Sequence, residues 1–165
     1  MSPLADAVFA LQGLGTLPLI TSGTPAGARL AEEAIAGRAM AAFAMTEPEA
    51  GSDVAALATR ARREGDGYVL DGSKSYISNA GIADFYVVFA STDPAARGKG
   101  ISAFLVPADA PGLRFVGPQI LSAPHPLGAI AFEGCRVHAG NRLGEEGRGF
   151  ALGLKTLDRM RATVG

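Results

Sequence analysis

The sequence predicts a mainly β domain, an antiparallel sandwich or barrel, with helical segments flanking it at both ends. Short, β-rich, turn-bounded runs follow one another from about residue 38 to 142. The "EGDG" at 64–67 lies between two of them as a hairpin signal. Helical spacing occurs only outside this stretch, and 22 glycines with 10 prolines cut the chain into short pieces.

In chain order, residues 4–12 and 26–37 read as helices, the second closed by Gly37 as a C-terminal cap. From residue 38 the spacing changes to that of strands. "AMAAFAMT" (39–46), "ALATRARRE" (56–64), "GYVLDG" (67–72) and "DFYVVFAST" (84–92) come first. "ISAFLVPA" (101–108), "LRFVG" (113–117) and "GAIAFEGCRV" (128–137) continue the series. His125, pinned between prolines in "APHPLG", reads as a rigid turn residue. At the end "RGFALGLKTLDRMRATV" (148–164) is helical again. Phe150, Leu154, Leu157 and Arg161 fall near one stripe of it.

Composition narrows the function classes. At 165 residues and 48% hydrophobic, the chain is one domain long and able to bury a core. Fifteen Lys+Arg against sixteen Asp+Glu leave a net charge of -1, without the basic footprint of a nucleic-acid binder. The lone Cys135 excludes an intrachain disulfide and fits a reducing compartment. With His125 and His138 as its only histidines, the chain lacks the donors of a structural zinc site. The apolar stretch 6–20 contains Asp6, Gln12, two glycines and Pro18 and has no basic start. Neither a signal peptide nor a membrane span is expected, and a cytoplasmic protein is. There is no nucleophile elbow, P-loop, dinucleotide fingerprint or plausible Cys–His pairing. The polar clusters therefore read as ligand-holding.

Two such clusters stand out. "FAMTEPEAGSD" (43–53) breaks from an apolar strand into a loop with Thr46, Glu47, Ser52 and Asp53. "DGSKSYISNAG" (71–81) places Tyr76 before Ser78 and Asn79. Taken alone, each also fits a plain role: a strand end and stiff turn, a cross-strand packing aromatic, a capped turn. Together they resemble the two signatures of the acyl-CoA dehydrogenase family. Two further segments match in the same order, "AFLVPADAPGL" (103–113) and "FEGCRVHAGNRLGEEGRGF" (132–150) leading into "LDRMR".

The resemblance implies a flavoprotein of helical, β and helical domains. Residues 1–37 would be a remnant of the first, 38–142 the flavin- and acyl-CoA-binding middle domain, and 143–165 the start of the third. FAD is the implied cofactor, held by Phe43, Met45, Thr46, Tyr76, Ile77 and Ser78. Thr46 and nearby backbone would meet the pyrimidine edge of the flavin, Tyr76 its ring, and Ser78 its N5. Gly51, Ser52, Asp158 and Arg161 would meet the acyl-CoA substrate. No catalytic residue is expected within the chain. The family's base is a carboxylate of the C-terminal helical domain, and Met160 stands where a minority of relatives carry a glutamate. The expected partners are electron-transfer flavoprotein and either further copies of the chain or a second chain supplying the remaining helices. A non-catalytic flavin- or CoA-binding module, half of a split enzyme, and an acyl-CoA oxidase or flavin monooxygenase are the alternatives. A fragment of such an enzyme is expected to be inactive alone.

Overall fold

The computed structural model describes residues 3–121 and 125–161. Helices α1 (Pro3–Ser22), α2 (Pro25–Ile35) and α3 (Gly149–Met160) flank a curled sheet. Its strands are β1 (Ala41–Ala44), β2 (Arg60–Glu64), β3 (Gly67–Ser78), β4 (Phe85–Ser91), β5 (Ile101–Pro107), β6 (Leu113–Pro118) and β7 (Leu127–His138). The order is β1-β4-β2-β3-β7-β6, with β5 also paired to β4.

The pairings β2–β3, β3–β7, β4–β5 and β6–β7 are antiparallel, as the turn-bounded runs predict. The β2–β3 turn is the expected hairpin, with Gly65 at φ +59 as its first central residue. The sheet is nevertheless mixed. β1 runs parallel to β4 from Ala41↔Phe85 to Ala44↔Val88, and β2 meets β4 in parallel at Arg60↔Ser91. The chain leaves β1 through a long loop and the whole β2–β3 hairpin before it reaches β4. Such a crossover lets it return in the same direction.

Both faces of the central strands are covered. Phe85, Val87, Phe89, Ile101, Ala103 and Leu105 join a helix-side cluster with Leu19, Ala31 and Met45. Tyr86, Val88, Phe104 and Val106 point into the curl, where Tyr68, Leu70, Ile77, Ile130, Phe132 and Cys135 pack. This is why β4 reads as an unbroken apolar run, since every one of its residues is buried. β6 lies at the edge and is mostly exposed.

Two elements differ from the sequence reading. The first helix does not stop at residue 12 but continues through Gly13, Gly15 and Pro18 to Ser22. A Cβ at Gly15 would stand 2.5 Å from that of Ala41, and one at Gly13 would stand 2.3 Å from Met160 Cε. The glycines therefore let α1 lie directly on β1 and α3, and that packing outweighs their poor helix propensity. The predicted strand 56–64 begins only at Arg60, after a short 3-10 turn at Val54–Ala56. The buried face of α3 was not assigned from the sequence. It is Gly149, Gly153 and Thr156, whereas Leu154 and Leu157 are 46% and 38% exposed. The helix seats its small residues on the sheet, a close approach that a Leu stripe would prevent. Residues 162–164 of the predicted helix lie outside the described residues.

Candidate cofactor and substrate site

The loop that follows β1 is held by a buried ion pair. Lys74, fully buried in β3, donates from Nζ to Glu47 Oε1 at 2.8 Å and to the Met45 carbonyl at 3.2 Å. Glu47 also accepts from the Ala58 N–H at 2.5 Å and from the Thr59 N–H at 3.0 Å. Burial alone would push the Glu47 carboxyl up, but the Lys74 charge and these donors hold it below the usual range. Burial pulls Lys74 down to about 8 against the opposing pull of Glu47. These bonds account for the late start of β2: the Ala58 and Thr59 N–H groups serve the carboxylate before the strand begins.

Beside this post the sheet bulges. Lys74 pairs with Ile130 and Ile77 with Gly128, so β3 spends an extra residue on the step. Tyr76 sits in the bulge at φ +56 and is 56% exposed. A bulky residue held there is strained, and such strain persists only where its surroundings fix it. Gln119 does so, accepting from the Tyr76 N–H at 2.5 Å and donating to Ser75 Oγ at 2.8 Å. The Ser75 N–H donates to the Thr46 carbonyl at 3.0 Å, which ties the loop to the bulge. The half-buried Thr46 hydroxyl has no hydrogen-bond partner among the described residues. Ser78 Oγ lies 2.8 Å from His125 Nε2.

The other residues singled out from sequence fall in three places. Phe43 and Met45 turn their side chains to the helix-side cluster, Phe43 with its ring 4.9 Å from that of Phe89. Ile77 is buried inside the curl. These three have only backbone to offer a ligand. Gly51 and Ser52 lie exposed on the loop. Asp158 and Arg161 are exposed at the end of α3, with no ion pair between them among the described residues.

The sequence and the fold agree on relatives. Residues 42–135 match the model of the acyl-CoA dehydrogenase middle domain. The chain belongs to the acyl-CoA dehydrogenase family. It is 40% identical over 165 residues to a probable acyl-CoA dehydrogenase, FadE25, of Mycobacterium tuberculosis, covering 98% of this chain and 42% of that protein. It is 45% identical over 134 residues to the human short-chain specific mitochondrial enzyme, covering 78% and 32%. The structure of butyryl-CoA dehydrogenase from Megasphaera elsdenii superposes with a TM-score of 0.89 at 34% identity, covering 96% of this chain and 42% of that one. The chain thus spans less than half the length of the relatives it matches.

In this acyl-CoA dehydrogenase domain, Lys74, Gln119 and His125 do work that the sequence reading did not assign. Lys74 was visible inside the second motif, but a lysine flanked by serines reads as a surface residue. Gln119 and His125 act across the β6–β7 connection, where local spacing carries no signal. His125 is more than the rigid turn residue its prolines suggest, because its ring is engaged with Ser78. Among the described residues no cluster of His, Cys, Asp and Glu could hold a metal ion, and no helix is long and apolar enough to cross a membrane.

Proposed function

We propose that this chain is the flavin- and thioester-binding part of a cytoplasmic FAD-dependent acyl-CoA dehydrogenase. The observation that carries the reading is the Ser75–Thr46 bond, which fixes a hydroxyl without a partner among the described residues beside a strained, outward-facing Tyr76. That donor set suits the FAD of the family, whose isoalloxazine has a polar pyrimidine edge and a flat apolar face.

When bound, FAD supplies the two-electron acceptor that oxidises the Cα–Cβ bond of the acyl group. The Thr46 hydroxyl and the backbone of 45–46 hydrogen-bond the pyrimidine edge, in a place where preorganised donors stabilise negative charge. Tyr76 covers the ring, Ser78 hydrogen-bonds the edge beyond it, and the backbone of Phe43 and Ile77 keeps both strands in register. Ser52 and Gly51 contact the CoA side of the thioester, and Asp158 and Arg161 line the acyl side.

Glu47 is no candidate for the base. Its oxygens are committed to Lys74, Ala58 and Thr59, and a carboxylate so held is a weak proton acceptor. The α-proton is taken by a carboxylate from outside these 165 residues. The exposed Leu154 and Leu157 favour completion of α3 by further helices, from a longer chain, another copy or a partner chain. Electron-transfer flavoprotein is the proposed electron acceptor.

Titration of the chain with FAD, followed by absorbance and flavin fluorescence, tests the reading. Weak binding is expected, reduced about tenfold in Thr46→Val, on the scale of one lost hydrogen bond, and further in Tyr76→Ala. Equal FAD affinity in all three proteins would refute it. Anaerobic addition of acyl-CoAs to the lone chain with FAD should leave the flavin unbleached.

A further inference from the structure

Ser78 and His125 also have the geometry of a nucleophile and its base. Ser78 Oγ lies 2.8 Å from His125 Nε2, within the reach that proton abstraction requires. Backbone holds the two together. The Asn79 N–H donates to the Pro126 carbonyl at 2.7 Å, tying the residue after Ser78 to the residue after His125. Pro126 in turn restricts the backbone of His125. Left-handed residues stand on both sides of the serine, Tyr76 at φ +56 and Asn79 at φ +63, and such conformations collect at functional sites.

The pair is open to small molecules. Ile77 points into the curl, so its neighbours Tyr76 and Ser78 face outward. Ser78 and His125 are half-buried and Tyr76 is exposed. No carboxylate meets the His125 ring among the described residues, so the pair is a dyad without the acidic third member of a triad. Disabling that third member costs a serine protease about 10⁴ in kcat. A dyad therefore works on esters whose leaving group departs readily. The flat Tyr76 ring beside Ser78 favours an aromatic one.

We propose that the FAD-free chain hydrolyses aryl esters, with Ser78 as nucleophile and His125 as general base. In the imidazole tautomer with its proton on Nδ1, Nε2 takes the Ser78 proton as Oγ bonds to the ester carbonyl carbon. The bond from that carbon to the aryl oxygen breaks, and Nε2–H returns its proton to the departing oxygen. A water then attacks the acyl-serine. Nε2 takes a proton from the water, the acyl–Oγ bond breaks, and that proton passes to Oγ. One water is consumed, a phenol and a carboxylic acid leave, and nothing is oxidised or reduced. This activity does not rest on the function proposed above, although a bound flavin would take the same hydroxyl.

The test gives p-nitrophenyl acetate to the FAD-free chain, follows release of nitrophenolate, and locates acetyl groups by peptide mass spectrometry. Ser78→Ala and His125→Gln should each lower the rate by about a hundredfold, the low end for a positioned general base. His138→Ala, which removes the other histidine, should keep the full rate. The wild-type rate should rise with pH through about 6.5 as the imidazole loses its proton, and His125→Gln should lack that rise. Early quenching should trap acetyl on Ser78. A Ser78→Ala rate equal to that of the wild type means attack by an imidazole or an amine and overturns the proposal. Acetyl found on other residues with none on Ser78 overturns it from the wild type alone, whether or not the variants fold. A pH profile unchanged in His125→Gln overturns the role of His125 as base.

Discussion

Lys74 Nζ lies 2.8 Å from Glu47 Oε1 with both side chains closed off from solvent, and this pair fixes the loop that carries Thr46. Buried pairs of this kind owe their occurrence to what happens when one member is lost. Desolvation largely cancels the attraction within the pair, whereas a single remaining charge has no compensation.

Lys74→Met should therefore destabilise the fold by about 3–5 kcal/mol, and the double change Lys74→Met with Glu47→Leu should recover most of that loss. Urea unfolding of the three proteins measures it. A double variant as unstable as the single one would show that the cost is packing and not charge.

The pair also sets the pH dependence. The Glu47 carboxyl is held below its unfolded value of 4.5, so its stabilisation is complete above that pH and is lost as pH falls through the folded value. Lys74 is lowered from 10.5 to about 8, so in that window the unfolded chain binds more protons. Its contribution to stability then rises with pH. Thermal unfolding of the wild type against Lys74→Met with Glu47→Leu should show both trends, and parallel curves would contradict them.

Tyr76 is expected to trade stability for function. Replacing a bulky residue at φ +56 with glycine relieves local strain, so Tyr76→Gly should gain about 1 kcal/mol in the folded state. The same variant should bind FAD several-fold more weakly, because the covering ring is gone. A loss of stability in Tyr76→Gly would mean that the ring packs on the protein.

The His125–Ser78 contact predicts coupling between the two. A serine oxygen can accept from the imidazole and still donate its own proton, so His125 orients the Ser78 hydroxyl. His125→Ala should weaken FAD binding by roughly the 0.5–1.5 kcal/mol of a hydrogen bond in the wild type, and by nothing in a Ser78→Ala background. Additive losses would separate the two residues.

The seat of α3 gives a packing prediction. A Cβ at Gly149 would fall 2.4 Å from the Ser102 carbonyl carbon and 2.6 Å from the Ala103 nitrogen, backbone that cannot move aside. Gly149→Ala should cost more than the roughly 1 kcal/mol that helix propensity returns, whereas Gly51→Ala, with open space around it, should leave stability unchanged. Chemical denaturation of both compares them.

Much of this was legible in the chain itself. Strand identities followed from alternation and turn residues, the hairpin from Gly65, and the family from two polar motifs placed in order, because all of these are local chemistry. Other features depend on residues far apart in sequence. Local pattern ends α1 at Gly13, but the close approach of Ala41 to Gly15 lets α1 lie on β1 and carries the helix onward. A serine-flanked lysine reads as solvated until the curl of the sheet brings Met45 and Glu47 around it. The parallel placing of β1 against β4 joins residues 44 apart, such as Ala41 and Phe85. His125 and Ser78, 47 residues apart, meet only because β7 returns beside β3. Propensity and hydrogen-bonding chemistry act over a few residues, and the sequence determines them alone. Burial of a charge, the space for a side chain and the partner of a hydroxyl depend on what the rest of the chain brings near. Those only the tertiary structure decided.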